Sequence, residues 1–177
     1  IIIDDGSTDK KIINFYKDIE KHKDKNIKIY KNKENLGFVG TVNEGMSLNE
    51  TNDVLLLNSD TIVTNNWLNN ILECAYSSNN IATVTPLSNN ATICSVPNFV
   101  QDNQLPNDFD IDTFASLVSS KSLKLYPQLP TAHGFCMFIK RNVLNIFGLF
   151  NLELFGKGYG EENEFCLRVE KYGYINV

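Results

Sequence analysis

The chain has 177 residues and a mass of 20.0 kDa, the size of one ordinary domain with enough length to bury a core. Its hydrophobic fraction of 42% and charged fraction of 21% exclude a disordered chain, a collagen-like repeat and a coiled coil. Sixteen basic against 21 acidic residues leave a net charge of -5, which argues against a nucleic acid held through its phosphates.

Ile1 to Ile3 read as a buried strand running into Asp4-Asp5-Gly6-Ser7-Thr8-Asp9, where Gly, Ser and Thr supply a turn and a helix cap and Asp9 suits the first helical turn. Ile12, Ile13, Phe15, Tyr16 and Ile19 recur at helical spacing, and the lysine run after them is the solvated end of that helix. A short strand follows at Ile27 to Tyr30, then a loop at Asn35 to Gly40 that opens a helix through about Leu48. Asp53 to Leu57 form another apolar strand, ending at Asn58-Ser59-Asp60. Trp67 to Ala75 carry a helical pattern, Ile81 to Thr85 a strand pattern, and Pro86 to Pro130 read as a long irregular segment with one helix near Ile111 to Ser119. A segment of that kind usually lies over a functional site. Gly134 to Ile139 read as a strand and Arg141 to Phe147 as a short helix. The glycine-rich loop Gly156 to Gly160 then leads into an acidic helix start and a helix to about Tyr172, before a last strand at Ile175 to Val177. This alternation predicts an α/β fold with a mixed, largely parallel sheet flanked by helices, and places ligands at strand carboxyl ends.

Nine of the sixteen basic residues lie between Lys10 and Lys33, and none lies between Glu34 and Ser120, where ten Asp or Glu occur. A phosphate handled by that stretch needs a bound cation. The four cysteines are 20, 42 and 30 positions apart, without a C-x-x-C pair, so they read as buried thiols. Two histidines exclude a multi-histidine metal site. No apolar run reaches the roughly 18 residues of a membrane helix and no signal-peptide pattern opens the chain, so a soluble, cytoplasmic protein is expected.

Asp5 and Asp60 both follow apolar strands, where two carboxylates can converge on the ligand crevice of an α/β sheet. Asn58 and Asp60 are two residues apart, so continued strand geometry would point both oxygens at one hard cation. Taken alone, the same residues read first as a polar strand end before a turn, which is the commoner arrangement. Glu161, Glu162 and Glu164 cluster at a helix start, where the macrodipole favours ionised carboxylates and a Glu can act as general base. They also read as an ordinary acidic first turn, with Glu164 and Arg168 as an i,i+4 surface pair.

Taken in order, Ile1 to Asp9, Asn35-Leu36-Gly37, Leu55 to Thr61 and Gly160 to Arg168 resemble an inverting, bacterial-type family 2 glycosyltransferase of the GT-A (Rossmann-like) fold. Thr85 to Asn89 and Gly134 to Met137 extend the resemblance over nearly the whole chain. The resemblance implies transfer of a sugar from a UDP or dTDP donor to a saccharide or lipid-linked acceptor with inversion, assisted by Mg2+ or Mn2+. It implies that Asp5 accepts the imino hydrogen of uracil or thymine, with Asp4 supporting that loop. Asp60 would be the final acid of the D-x-D motif and hold the metal at the diphosphate, with Asn58, in place of the motif's first acid, as a neutral donor. Glu162 would be the catalytic base, with Glu in place of the commoner Asp. Asn35, Gly37 and Asn43 would line the nucleotide side, although a loop turn and helix packing explain them equally. His133 and Phe135 would lie where an acceptor approaches, or simply start a strand.

On the same resemblance the chain is expected to be a single domain, 1–177, and a fragment, with the family's first strand before Ile1 and a metal-site histidine after Val177. Contact with the inner face of the cytoplasmic membrane is an expectation for the full-length protein. A noncatalytic sugar-nucleotide-binding relic is the main alternative. A phosphoacceptor receiver would need a late strand-end Lys-Pro step, and a haloacid-dehalogenase-type phosphatase a D-x-D-G-T motif; neither occurs here.

Overall fold

The structure is a computed structural model and describes residues 1–177. In chain order its elements are β1 (Ile2–Asp4), α1 (Lys10–His22), β2 (Ile29–Lys31), α2 (Gly37–Ser47), β3 (Val54–Leu57), α3 (Trp67–Tyr76), β4 (Ile81–Val84) and β5 (Asn90–Ala91). They continue with β6 (Gln101–Asp102), α4 (Ile111–Lys121), β7 (Cys136–Ile139), α5 (Arg141–Phe147), α6 (Leu152–Phe155), α7 (Glu161–Glu170) and β8 (Ile175–Asn176). The chain divides into two compact units, one of Ile1–Thr51 with Leu149–Glu161, the other of Asn52–Gly148 with Glu162–Val177.

In the first unit β1 and β2 pair in parallel, Ile3 opposite Tyr30, with α1 as the crossover. The cap of α1 falls to Asp9, whose carboxylate accepts from the Lys11 N–H at 2.7 Å, and not to Ser7 or Thr8. Ser7 is instead drawn back by its own N–H, which donates to Asp4 Oδ1 at 2.9 Å. Asp4 is 5% exposed, so its carboxylate holds the loop from inside. Helix α2 packs on the short helix α6, an element without a pattern in the sequence because four residues cannot display a helical period.

The second unit holds a four-stranded sheet in the order β3-β7-β4-β8. Strands β3, β4 and β8 run one way, as expected, while β7 lies reversed between β3 and β4, so two of the three pairings are antiparallel. Both central strands, Ile81-Ala82-Thr83-Val84 and Cys136-Met137-Phe138-Ile139, are buried at every residue, and they read as continuous runs because both faces are covered. One face packs Cys136, Phe138, Ile81 and Val84 against Ile71, Cys74 and Ala75 of α3. Burial pushes the thiol of Cys136 up to about 12 and those of Cys74 and Cys166 up to about 11, which makes them inert packing groups. The long segment after β4 carries the small β5-β6 ladder as well as the expected helix, α4. No helix is long and apolar enough to cross a membrane.

Candidate functional site

In the first unit the site residues gather on Asp5. Its Oδ1 accepts from Asn32 Nδ2 at 2.9 Å and from the Leu36 N–H at 2.8 Å, and its Oδ2 accepts from the Gly37 N–H at 2.9 Å. The helix α2 begins at Gly37 without a side-chain cap of its own, so Asp5, some thirty residues upstream, serves as the anionic cap of that helix. Burial would raise the Asp5 carboxyl, but the hydrogen bonds from Asn32, Leu36, Thr41 and Gly37 outweigh it and hold the group below its ordinary 3.8. An ionised carboxylate has about four acceptor positions. Asn32, Leu36 and Gly37 take three of them at hydrogen-bond distance, and Thr41 stands beside the same carboxylate.

The neighbouring candidates build this loop. Asn35 donates through Nδ2 to the Asp5 carbonyl at 3.2 Å. Gly37 has φ +75°, and a Cβ there would meet Lys157 Cα at 2.7 Å; the adjacent Phe38 N–H donates to the Lys157 carbonyl at 2.9 Å. The first N–H groups of α2 are thereby occupied by Asp5 and Lys157. Asn43 makes a reciprocal pair with the Phe150 backbone, donating at 2.8 Å and accepting at 3.1 Å, so its amide is committed to fixing α2 against the segment that leads into α6.

In the second unit everything turns on the segment before β7. The carbonyl of Phe135 accepts from the Asn58 N–H at 2.9 Å, just beyond β3. The neighbouring Gly134 N–H donates to Glu162 Oε1 at 3.1 Å. His133 donates its N–H to Thr85 Oγ1 at 3.0 Å, and Ala132 donates to Cys166 Sγ at 3.2 Å. One dipeptide, Gly134-Phe135, therefore ties the turn that carries Asp60 to the start of α7 that carries Glu162. The second oxygen of Glu162 has no protein partner, and the residue is half-buried. Glu161 beside it is 2% exposed. Sequence spacing could not find Gly134 as the anchor, because it lies 28 residues from Glu162.

The strand geometry expected for Asn58 and Asp60 does not persist. Strand β3 ends at Leu57, and residues 58–61 form a turn closed by Thr61, whose N–H and Oγ1 both donate to the Asn58 carbonyl, at 3.4 and 2.7 Å. The two side chains are thus displayed from a turn, both exposed, and Asp60 carries no salt bridge. No three or more His, Cys, Asp or Glu side chains form a metal cage. One exposed carboxylate and one amide oxygen still fit a hard divalent cation of the Mg2+ kind, which takes few protein oxygens and completes its shell with phosphates and water.

The expected surface pair, Glu164 with Arg168, is a two-bond clamp at 2.9 and 2.8 Å with about a quarter of each side chain exposed. Arg168 Nη1 also donates to the Phe147 carbonyl, so the pair fastens α7 to the end of α5 instead of lying free in water.

Comparison with curated proteins gives no match. Among solved structures, the mannosyltransferase PcManGT from Pyrobaculum calidifontis, in complex with GDP-Man and Mn2+, aligns with a TM-score of 0.65 and 17% identity over 99% of this chain and 43% of that one. GalNAc-T7 with UDP, GalNAc and Mn2+ aligns with a TM-score of 0.70 and 16% identity, over 98% of this chain and 35% of that one. The chain thus spans less than half the length of either, and both share with it the GT-A fold. The model of glycosyl transferase family 2 matches residues 1–147, and the chain belongs to that family.

Proposed function

We propose that this chain is the donor-binding and catalytic part of a transferase that moves a hexosyl group from a UDP- or dTDP-sugar to an acceptor hydroxyl, with inversion. The observation that carries the reading is the pair of bonds on Gly134-Phe135, which joins the Asp60 turn and Glu162 through two adjacent peptide groups. Family membership and the nucleotide-sugar complexes of the structural neighbours support the same class of chemistry.

Asp5 offers its carboxylate to the imino N–H of the base, while Asn35, Gly37 and Asn43 act indirectly by fixing the loop that holds it. Asp60, with the Asn58 oxygen, would hold a Mg2+ or Mn2+ ion that neutralises the diphosphate, a charge no Lys or Arg between Glu34 and Ser120 can supply. Glu162, anchored through Oε1, takes the acceptor hydroxyl proton on Oε2 as the oxygen attacks the anomeric carbon and the nucleoside diphosphate departs from the opposite face. The acceptor is a saccharide or a lipid-linked acceptor, used at the cytoplasmic side of the membrane. Release of nucleoside diphosphate from a panel of nucleotide sugars with manganese tests the reading. Glu162→Gln should leave donor affinity intact and lower turnover by about 10² to 10⁴, and unchanged turnover would remove Glu162 from the base role.

A further inference from the structure

Three consecutive backbone N–H groups lead toward β7, and their partners alternate between helix and sheet. Ala132 donates to Cys166 Sγ at 3.2 Å and Gly134 to Glu162 Oε1 at 3.1 Å, both on α7. His133, between them, donates to Thr85 Oγ1 at 3.0 Å, one residue beyond the end of β4. Thr131 adds a further bond to α7, its hydroxyl donating to Asn163 Oδ1 at 2.6 Å. The bonds to α7 join this run and the helix into one body. Two others locate that body against the sheet: the Phe135 carbonyl accepting from Asn58, and the His133 N–H on Thr85. The first is backbone to backbone and tolerates substitution, whereas the second depends on the side chain at position 85.

That side chain has the properties of a fixed acceptor. Thr85 is 7% exposed, and its own N–H donates to the Val177 carbonyl at 2.8 Å, which ties its backbone to the end of β8. Branching at Cβ restricts χ1, so the backbone sets where Oγ1 stands. A buried hydroxyl is costly unless it is bonded, and this one is bonded to the peptide group that precedes the anchor of Glu162. Glycine at 134 has no side chain to limit its own dihedrals, so the direction of its N–H must come from its neighbours. On one side Thr85 holds the His133 N–H, and on the other the Cys136 N–H donates to the His133 carbonyl at 3.3 Å. That carbonyl and the Gly134 N–H belong to one planar peptide unit, so fixing the first aims the second.

We propose that Thr85 is a positioning residue for Glu162: through the His133 N–H it aims the Gly134 N–H, and so places the carboxylate that takes the acceptor proton. The role of Glu162 as base rests on the transferase reading, while the tie from Thr85 to Gly134 rests on the hydrogen bonds alone. The test combines turnover with amide hydrogen exchange in the 177-residue chain. Thr85→Val keeps the shape and removes the acceptor. It should lower kcat by about 10- to 100-fold, the scale of a catalytic group displaced by up to ~1 Å, and leave the donor KM unchanged. Thr85→Ser, which keeps Oγ1, should recover most of that loss. In a Glu162→Gln background Thr85→Val should cost little further, because residues acting as one unit are not additive. The Gly134 amide should exchange about tenfold faster in Thr85→Val, the effect of losing one hydrogen bond, and at the parent's rate in Thr85→Ser. In the unsubstituted chain the His133 and Gly134 amides should open together, with protection within about tenfold of each other, a measurement that needs no variant to fold. Unchanged Gly134 exchange in Thr85→Val, independent opening of the two amides, a raised KM at constant kcat, or an equal kcat loss with and without Glu162 would each overturn the proposal. A parent that turns over no nucleotide sugar, or parental turnover in Glu162→Gln alone, would count against the transferase reading instead, and the exchange arm would still decide whether Thr85 holds the anchor.

Discussion

Replacing Asp5 by Ala removes the acceptor of three donors at once: Asn32 Nδ2 and the N–H groups of Leu36 and Gly37, at 2.9, 2.8 and 2.9 Å. Loss of an N-terminal cap costs about 1 kcal/mol and up to about 2. The missing charge at the helix start adds about 0.3 to 1 kcal/mol, discounted because Asp5 is half-exposed and water screens it. A total of about 2 kcal/mol follows, since water can reach the orphaned N–H groups and limit their penalty. With a urea slope of about 2 kcal/mol per molar, the midpoint should fall by about 1 M. Asp5→Asn keeps one carbonyl acceptor but turns an NH2 toward a donor, so it should lie between parent and Ala. Acid sharpens the test. The folded Asp5 carboxyl sits below 3.8, so its contribution is complete above 3.8 and is lost as pH falls through the folded value. That acid-side loss should be missing in Asp5→Asn. An unchanged midpoint in Asp5→Ala, or identical acid profiles for parent and Asn variant, would refute the capping argument. Nucleotide binding alone cannot decide it, because an uncapped loop and a lost base contact both weaken binding.

Asp60→Ala should abolish Mn2+-dependent UDP binding in calorimetry while changing the unfolding free energy in urea by no more than about 0.5 kcal/mol, because the side chain is exposed and carries no salt bridge. Gly37→Ala should cost about 2 to 4 kcal/mol by denaturation, combining φ +75° with a Cβ placed 2.7 Å from Lys157, whereas Gly156→Ala, at φ +52° with open space around it, should cost only about 1 to 2. His133 titrates below 6.5 when folded, so the unfolded chain binds the proton first and stability should fall as pH drops below 6.5 and stay level above it; His133→Gln should flatten that slope in a pH series of melts.

The order of strands and helices was legible because β4 and β7 are continuous apolar runs and α1 shows a helical stripe, signals that depend only on neighbours along the chain. Family membership was legible for a similar reason: Asp4 to Asp9 and Asn58 to Asp60, both inside the matched residues 1–147, are local motifs in a fixed order. What the tertiary structure decided are relations over long separations. That Asp5 caps a helix 32 residues away follows from the parallel pairing of β1 and β2, which no local pattern encodes. The reversed β7 comes from pairing between β3 and β4, strands indistinguishable from parallel ones by composition. The turn at residues 58–61 replaced a strand because Thr61 donates to Asn58 locally, and Ser-Asp steps permit either outcome. Gly134 became the hinge between Asp60 and Glu162 because backbone N–H and C=O groups carry no residue identity, so their partners are set by the fold and are invisible in the sequence.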